Sequence, residues 1–103
     1  PTNTRVRKMN LVEYIEKRDY VGALAIIYFG EADLDSVTTL LWVGYCSSRL
    51  GDHNRAKEAY LELLSDKFED EDVPKITRIF LSIAYLNLGK YTDAEETALS
   101  VTL

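Results

Sequence analysis

The residues able to do chemistry here are few, and their surroundings are poor. His53 is the only histidine and Cys46 the only cysteine. A nucleophilic thiol needs a base beside it, and a metal centre needs several converging ligands. Cys46 has neither a second cysteine nor a neighbouring histidine. Its position after Gly44 and Tyr45 puts it inside a helical stretch, where a lone cysteine reads as a small buried hydrophobe. His53 falls in a turn at a position that packs a ring on a helix junction. The carboxylates Glu69, Asp70, Glu71 and Asp72 form a run rather than a converging pair, which reads as a solvated loop ahead of weak divalent-ion binding. No glycine-rich phosphate loop is present. No catalytic, cofactor-binding or metal-binding residue is therefore expected, and the sequence reads as non-enzymatic.

The elements that would carry these residues are helical. Apolar residues recur at intervals of three and four, as in Leu50, Ala56, Ala59, Tyr60, Leu63 and Leu64. Strand alternation and Asn-Gly or Asp-Gly hairpin turns are missing. Asn10 followed by Glu13 has the spacing of a capping box, with Met9 and Tyr14 placed as a hydrophobic staple, and predicts a helix over about 11–17. Asp19 caps a second over about 20–29. Asp35 or Ser36 opens a third that ends at Leu50, where Gly51 supplies a left-handed turn and Asp52 caps a fourth running to about Asp66. A fifth opens near Pro74 and stops at Leu88, Gly89 turns the chain, and a sixth begins near Tyr91.

The resulting fold class is all-α: three stacked antiparallel helix–turn–helix hairpins over about 10–30, 36–66 and 74–103. The turns Arg18-Asp19-Tyr20, Gly51-Asp52-His53 and Gly89-Lys90-Tyr91 each lead to an alanine three residues past the ring, at Ala23, Ala56 and Ala94. They recur after 33 and then 38 residues, the second interval lengthened by the acidic run. A period near 34 marks a helical repeat in which each hairpin has too little core alone and must stack on its neighbour.

Composition sets the outer bounds. A chain of 103 residues is one domain, and 47% hydrophobic with 28% charged residues is ordinary for a globular protein. A formal net charge of −5 argues against nucleic acid, since Arg5, Arg7 and Lys8 form the only basic cluster. No run of apolar residues approaches the 18 or so needed to span a membrane, and no signal peptide is visible. The single cysteine leaves a reducing compartment, the cytoplasm, as the default. The start at Pro1 and the stop at Leu103 inside a helical pattern are those of a fragment of a longer repeat protein.

These positions resemble the tetratricopeptide repeat, which has a small residue at its eighth position, Gly at the fifteenth, an aromatic at the seventeenth and Ala at the twentieth. The middle hairpin places Gly44, Gly51, His53 and Ala56 there, with Tyr60 at the large-residue site. The third places Ser82, Gly89, Tyr91 and Ala94. The first, with Leu11 and Arg18 but keeping Tyr20 and Ala23, resembles a degenerate repeat. The resemblance implies a right-handed α-solenoid. Within that group, the strings Glu16-Lys17-Arg18-Asp19-Tyr20, Leu41-Trp42-Val43-Gly44-Tyr45-Cys46 and Leu50-Gly51-Asp52 are similar to the N-terminal repeats of the DYF-13 family, found at the periphery of intraflagellar transport complex B. That similarity implies a scaffold in cilium or flagellum assembly, whose partners are transport-complex subunits and axonemal cargo. An adaptor or regulatory subunit of another cytoplasmic assembly is the alternative.

In such repeats the first helix of each hairpin lines a groove. Its residues here are apolar and aromatic, centred on Trp42, Tyr45, Arg49, Ile76, Phe80 and Ile83, with Met9, Val12, Ile15 and Glu16 from the first hairpin. The clamp that some tetratricopeptide domains use for acidic C-terminal peptides would fall on Lys8, Val12, Trp42, Ile76 and Phe80, of which only Lys8 fits. The fifth helix is apolar on both sides. Its outer side is expected to meet a partner protein, further parts of the same chain, or a second fragment by self-association.

Overall fold

The computed structural model describes residues 9–102. Arg5, Arg7 and Lys8, and the chain termini, lie outside that range. The described residues form helices α1 (Leu11–Glu16), α2 (Tyr20–Tyr28), α3 (Ser36–Arg49), α4 (His53–Leu63), α5 (Thr77–Asn87) and α6 (Tyr91–Leu99), with one 3₁₀ turn at Asp66–Phe68. No strand occurs among the described residues, and the chain is all-α.

Local chemistry explains where these helices start. Asn10 Oδ1 accepts from the Glu13 amide at 3.0 Å while Glu13 Oε1 accepts from the Asn10 amide at 3.3 Å, a complete capping box. Asp19, Asp35 and Asp52 each accept from the amide three residues on, at 2.9, 2.7 and 3.2 Å. Each cap satisfies an amide that the first turn of its helix leaves without a partner.

The three tight turns share one backbone conformation. Arg18, Gly51 and Gly89 have φ of 56°, 82° and 76°. The residue after each donates its amide five residues back, Asp19 to Tyr14, Asp52 to Ser47 and Lys90 to Tyr85, at 2.8–2.9 Å. That bond closes the preceding helix while the same residue opens the next. Glycine takes the left-handed region at little cost; Arg18 holds it with a side chain, which is unusual outside Asn and Asp.

Two boundaries differ from the sequence reading. The fourth helix stops at Leu63 instead of near Asp66, because Ser65 turns extended (ψ 170°) and its hydroxyl takes the Glu62 carbonyl at 2.6 Å. The fifth begins at Thr77 and not at Pro74, because Pro74, Lys75 and Ile76 accept i→i−3 bonds from Thr77, Arg78 and Ile79, a tighter turn than the α-helix that follows. Between them Glu69, Asp70, Glu71 and Asp72 are all exposed, as a solvated loop requires, while Phe68 of the preceding 3₁₀ turn is buried.

The helices pack on their neighbours in sequence, most closely α3 on α4 and α5 on α6, with α4 joined to α5. One core cluster gathers Leu11, Tyr20, Ala23, Leu24, Val43, Cys46 and Ala59 from α1 to α4. A second gathers Ala56, Tyr60, Leu63, Phe68, Leu81 and Ala84 from α4, the 3₁₀ turn and α5. Ala23, Ala56 and Ala94 are all buried where paired helices meet.

Gly44 and Gly22 mark the closest approaches. A Cβ on Gly44 would lie 2.5 Å from Cζ and 2.8 Å from Oη of Tyr60, so α4 lays its ring directly on the α3 backbone. A Cβ on Gly22 would lie 2.6 Å from Cδ1 of Tyr14. In the third hairpin Ser82 makes the approach, its hydroxyl donating to the Ala94 carbonyl at 2.7 Å.

Candidate functional site

The first helix of each hairpin presents one face to solvent. Along α3 the buried residues are Val43, Gly44, Cys46 and Ser47, and the opposite face runs through Thr38, Leu41, Trp42, Tyr45 and Arg49. Along α5, Thr77, Leu81, Ser82 and Ala84 are buried, and the outer face runs through Ile76, Phe80, Ile83 and Leu86. Val12, Tyr45 and Ile83 each stand six residues before a left-handed turn residue, and they are 58%, 40% and 45% exposed. The same register position therefore holds an apolar, solvent-facing side chain in all three hairpins. Isolated exposed hydrophobics are commonplace on proteins; a row repeated in register and continued by Ile76 and Leu86 is a surface that can bury area against another chain.

The structure divides the six groove residues between two roles. Tyr45, Ile76 and Ile83 are open to solvent. Trp42 is half-buried against the first core cluster and meets the Tyr45 ring edge-on at 5.7 Å. Phe80 is half-buried in the second cluster, its ring 5.7 Å from that of Tyr60. Both support the face more than they offer it. Arg49 is exposed but engaged: its guanidinium lies 5.7 Å from the centre of the Tyr20 ring, and its Nε donates to Tyr20 Oη at 3.3 Å. That hydrogen bond holds the Tyr20 phenol below its ordinary range. Tyr20 also meets Tyr45 edge-on at 5.9 Å, so the ring of the first turn packs on the helix of the next hairpin. Tyr91, at the equivalent place in the third turn, is 69% exposed.

A cleft of about 510 Å³ opens at one end of the face, lined by Asp35, Ser36, Val37, Thr38, Leu41, Glu71, Asp72 and Pro74. It lies between the start of α3 and the chain entering α5, and sequence periodicity gave no sign of it because Glu71 and Asp72 sit in a loop. The Thr38 amide holds the Asp35 carboxyl below the usual carboxylate range.

The residues considered for chemistry are placed as follows. Cys46 is fully buried, and burial pushes its thiol up to about 11, so at neutral pH it is neither ionised nor accessible. His53 is half-buried, with Nδ1 shut from solvent and without a hydrogen-bond partner. Among the described residues no three His, Cys, Asp or Glu side chains converge as metal ligands. No helix among them is long and apolar enough to cross a membrane. The chain matches no protein-family model and no solved structure significantly.

Proposed function

We propose that this chain is a non-enzymatic protein-interaction scaffold built as a short right-handed α-solenoid of tetratricopeptide-like hairpins. The observation that carries the reading is the row Val12, Tyr45 and Ile83, apolar and exposed at one register position of successive hairpins. The three equivalent turns support the repeat, as does the shape. A radius of gyration of 15.8 Å exceeds the roughly 13 Å of a compact 100-residue domain. The shortest dimension, 18 Å, is that of two helix layers, each about 10 Å across.

The similarity of the Trp42-Val43-Gly44-Tyr45-Cys46 string to the DYF-13 family directs the proposal to the periphery of intraflagellar transport complex B. There the scaffold serves cilium or flagellum assembly by holding transport-complex subunits or axonemal cargo. The test is affinity capture from ciliated cells with this chain, comparing it with Tyr45→Glu/Ile83→Glu and with a control change, Leu99→Glu, away from the row. Loss of transport-complex subunits only in the first variant, with helicity intact, is expected. Equal capture by all three would remove the row as a partner surface, and capture of no transport subunit at all would remove the assignment to that complex.

A further inference from the structure

Along α3 the apolar face has ends of different charge, which bears on what can lie beside that helix. At the α3 N-terminal end stand Asp35, Glu71 and Asp72, together lining the cleft with the apolar side chains Val37 and Leu41. Asp35 spends one carboxylate oxygen on the Thr38 amide. The side chains of Glu71 and Asp72 have no hydrogen-bond or ion-pair partner among the described residues. Lys75, the nearest basic residue in the chain, lines the neighbouring cleft with Arg78, Ser100 and Val101; Glu71 borders both clefts, while Asp35 and Asp72 line only the acidic one. On α3 the face carries one basic side chain, Arg49, at the far end of the helix and held on Tyr20. With a net charge of −5, the rest of the chain adds to the negative field at the acidic end.

Resting on the scaffold reading above, we infer that the occupant of this face is an amphipathic helical segment of another protein whose basic end seats at Asp35, Glu71 and Asp72. Its apolar residues, spaced three and four apart, lie over Leu41, Tyr45, Ile76 and Ile83, the helix-in-groove mode of recognition. Helix α3 covers 14 residues, about 21 Å at 1.5 Å each, so an occupant of similar length laid beside it reaches from the acidic mouth to Arg49. The charge asymmetry fixes its direction, because Lys or Arg placed over Arg49 would meet a like charge.

The test is selection of displayed random peptides of about 16 residues, long enough to span the row, on the intact chain with counter-selection on Ile83→Glu. The expected peptides are amphipathic, with Lys and Arg concentrated in one terminal third. Glu71→Gln/Asp72→Asn should weaken them about fivefold, as loss of two exposed charge pairs does, mostly through slower association. Peptides that depend on Ile83 but carry no basic bias, or an acidic one, would overturn this inference and leave the groove reading standing. Recovery of no peptide that depends on Ile83 would sink both.

Discussion

The Tyr60 ring laid on Gly44 sets two known effects against each other in one substitution. In a helix interior Ala is preferred over Gly by about 1 kcal/mol, so Gly44→Ala should stabilise α3 if nothing opposes it. The new methyl would lie 2.5 Å from Tyr60 Cζ, whereas carbon atoms in contact sit roughly 3.5–4.0 Å apart. The ring must retreat by about 1 Å. It has little room, being 5% exposed and backed by Phe80 at 5.7 Å. Overpacking of this kind costs about 1–3 kcal/mol, so the clash outweighs the propensity gain and the net change is a loss of about 1 kcal/mol. For a domain of this size that lowers Tm by about 4–8 °C. Tyr60→Leu removes the ring edge while keeping an apolar core residue. In that background Gly44→Ala should reverse sign and stabilise by up to about 1 kcal/mol, a coupling of about 2 kcal/mol between the two sites. Urea unfolding of the four proteins, followed by far-ultraviolet circular dichroism, measures the cycle. A stabilising Gly44→Ala in the natural background, or the same effect in both backgrounds, would refute the close-approach argument.

Alkaline pH should expose the buried acids. Burial raises the Cys46 thiol from 9.0 to about 11 and the Tyr60 phenol from 10.0 to about 12, so both stay protonated in the fold after they would ionise unfolded. Their contribution is complete below the unfolded values and is lost as pH rises through these windows. The urea midpoint should fall between pH 9.0 and about 11, less steeply in Cys46→Ala; an unchanged slope in that variant would count against thiol burial. Asp35→Ala should lower the urea midpoint near neutral pH, while Asp35→Asn retains an acceptor for the Thr38 amide. Because the folded Asp35 carboxyl lies below 3.8, its advantage over Asn exists above that value and disappears as pH falls through the depressed folded pKa; a constant difference across acid pH would contradict the cap. Arg49→Gln should move one phenol of the ultraviolet titration upward, toward 10.0, as Tyr20 loses its cationic donor, and an unaltered titration would show that Arg49 does not bond it.

The legible part of the fold lies within four or five residues of chain. Asn10, Asp19, Asp35 and Asp52 announce their helices because a cap satisfies amides two or three residues on, and that chemistry is complete within the local sequence. The turns at Gly51 and Gly89 were readable for the same reason, and Arg18 was readable only by its register with them. What escaped depends on residues far along the chain. Phe68 stands alone among Asp66, Lys67, Glu69 and Asp70, with no apolar period to mark it, yet it fills the junction of α4 and α5. Gly22 of α2 faces Tyr14 of α1, whereas in the middle hairpin the closely approached glycine, Gly44, stands on the first helix, so no shared spacing marks the pair. In the candidate site, helical spacing predicted one outward face on each of α3 and α5. It could not separate Tyr45 and Ile83, which reach solvent, from Trp42 and Phe80 on the same face, which lean into the core. Arg49 was placed on that face by spacing, but its partner Tyr20 lies 29 residues away, a pairing that only the tertiary packing creates.

The nearest-neighbour packing of the helices also governs how the chain reaches its fold. Since the main contacts join elements that are successive in sequence, each hairpin closes only a short loop before its interactions form. Proteins of such low contact order fold on microsecond to millisecond scales, roughly, and have little need of a long-range nucleus. Nucleation can occur wherever a hairpin is most self-sufficient, and α3 with α4, joined through Gly44 and Tyr60, is the best furnished. The six residues of α1 then add last and open first, so hydrogen exchange should run from the N-terminal hairpin inward toward α3 and α4.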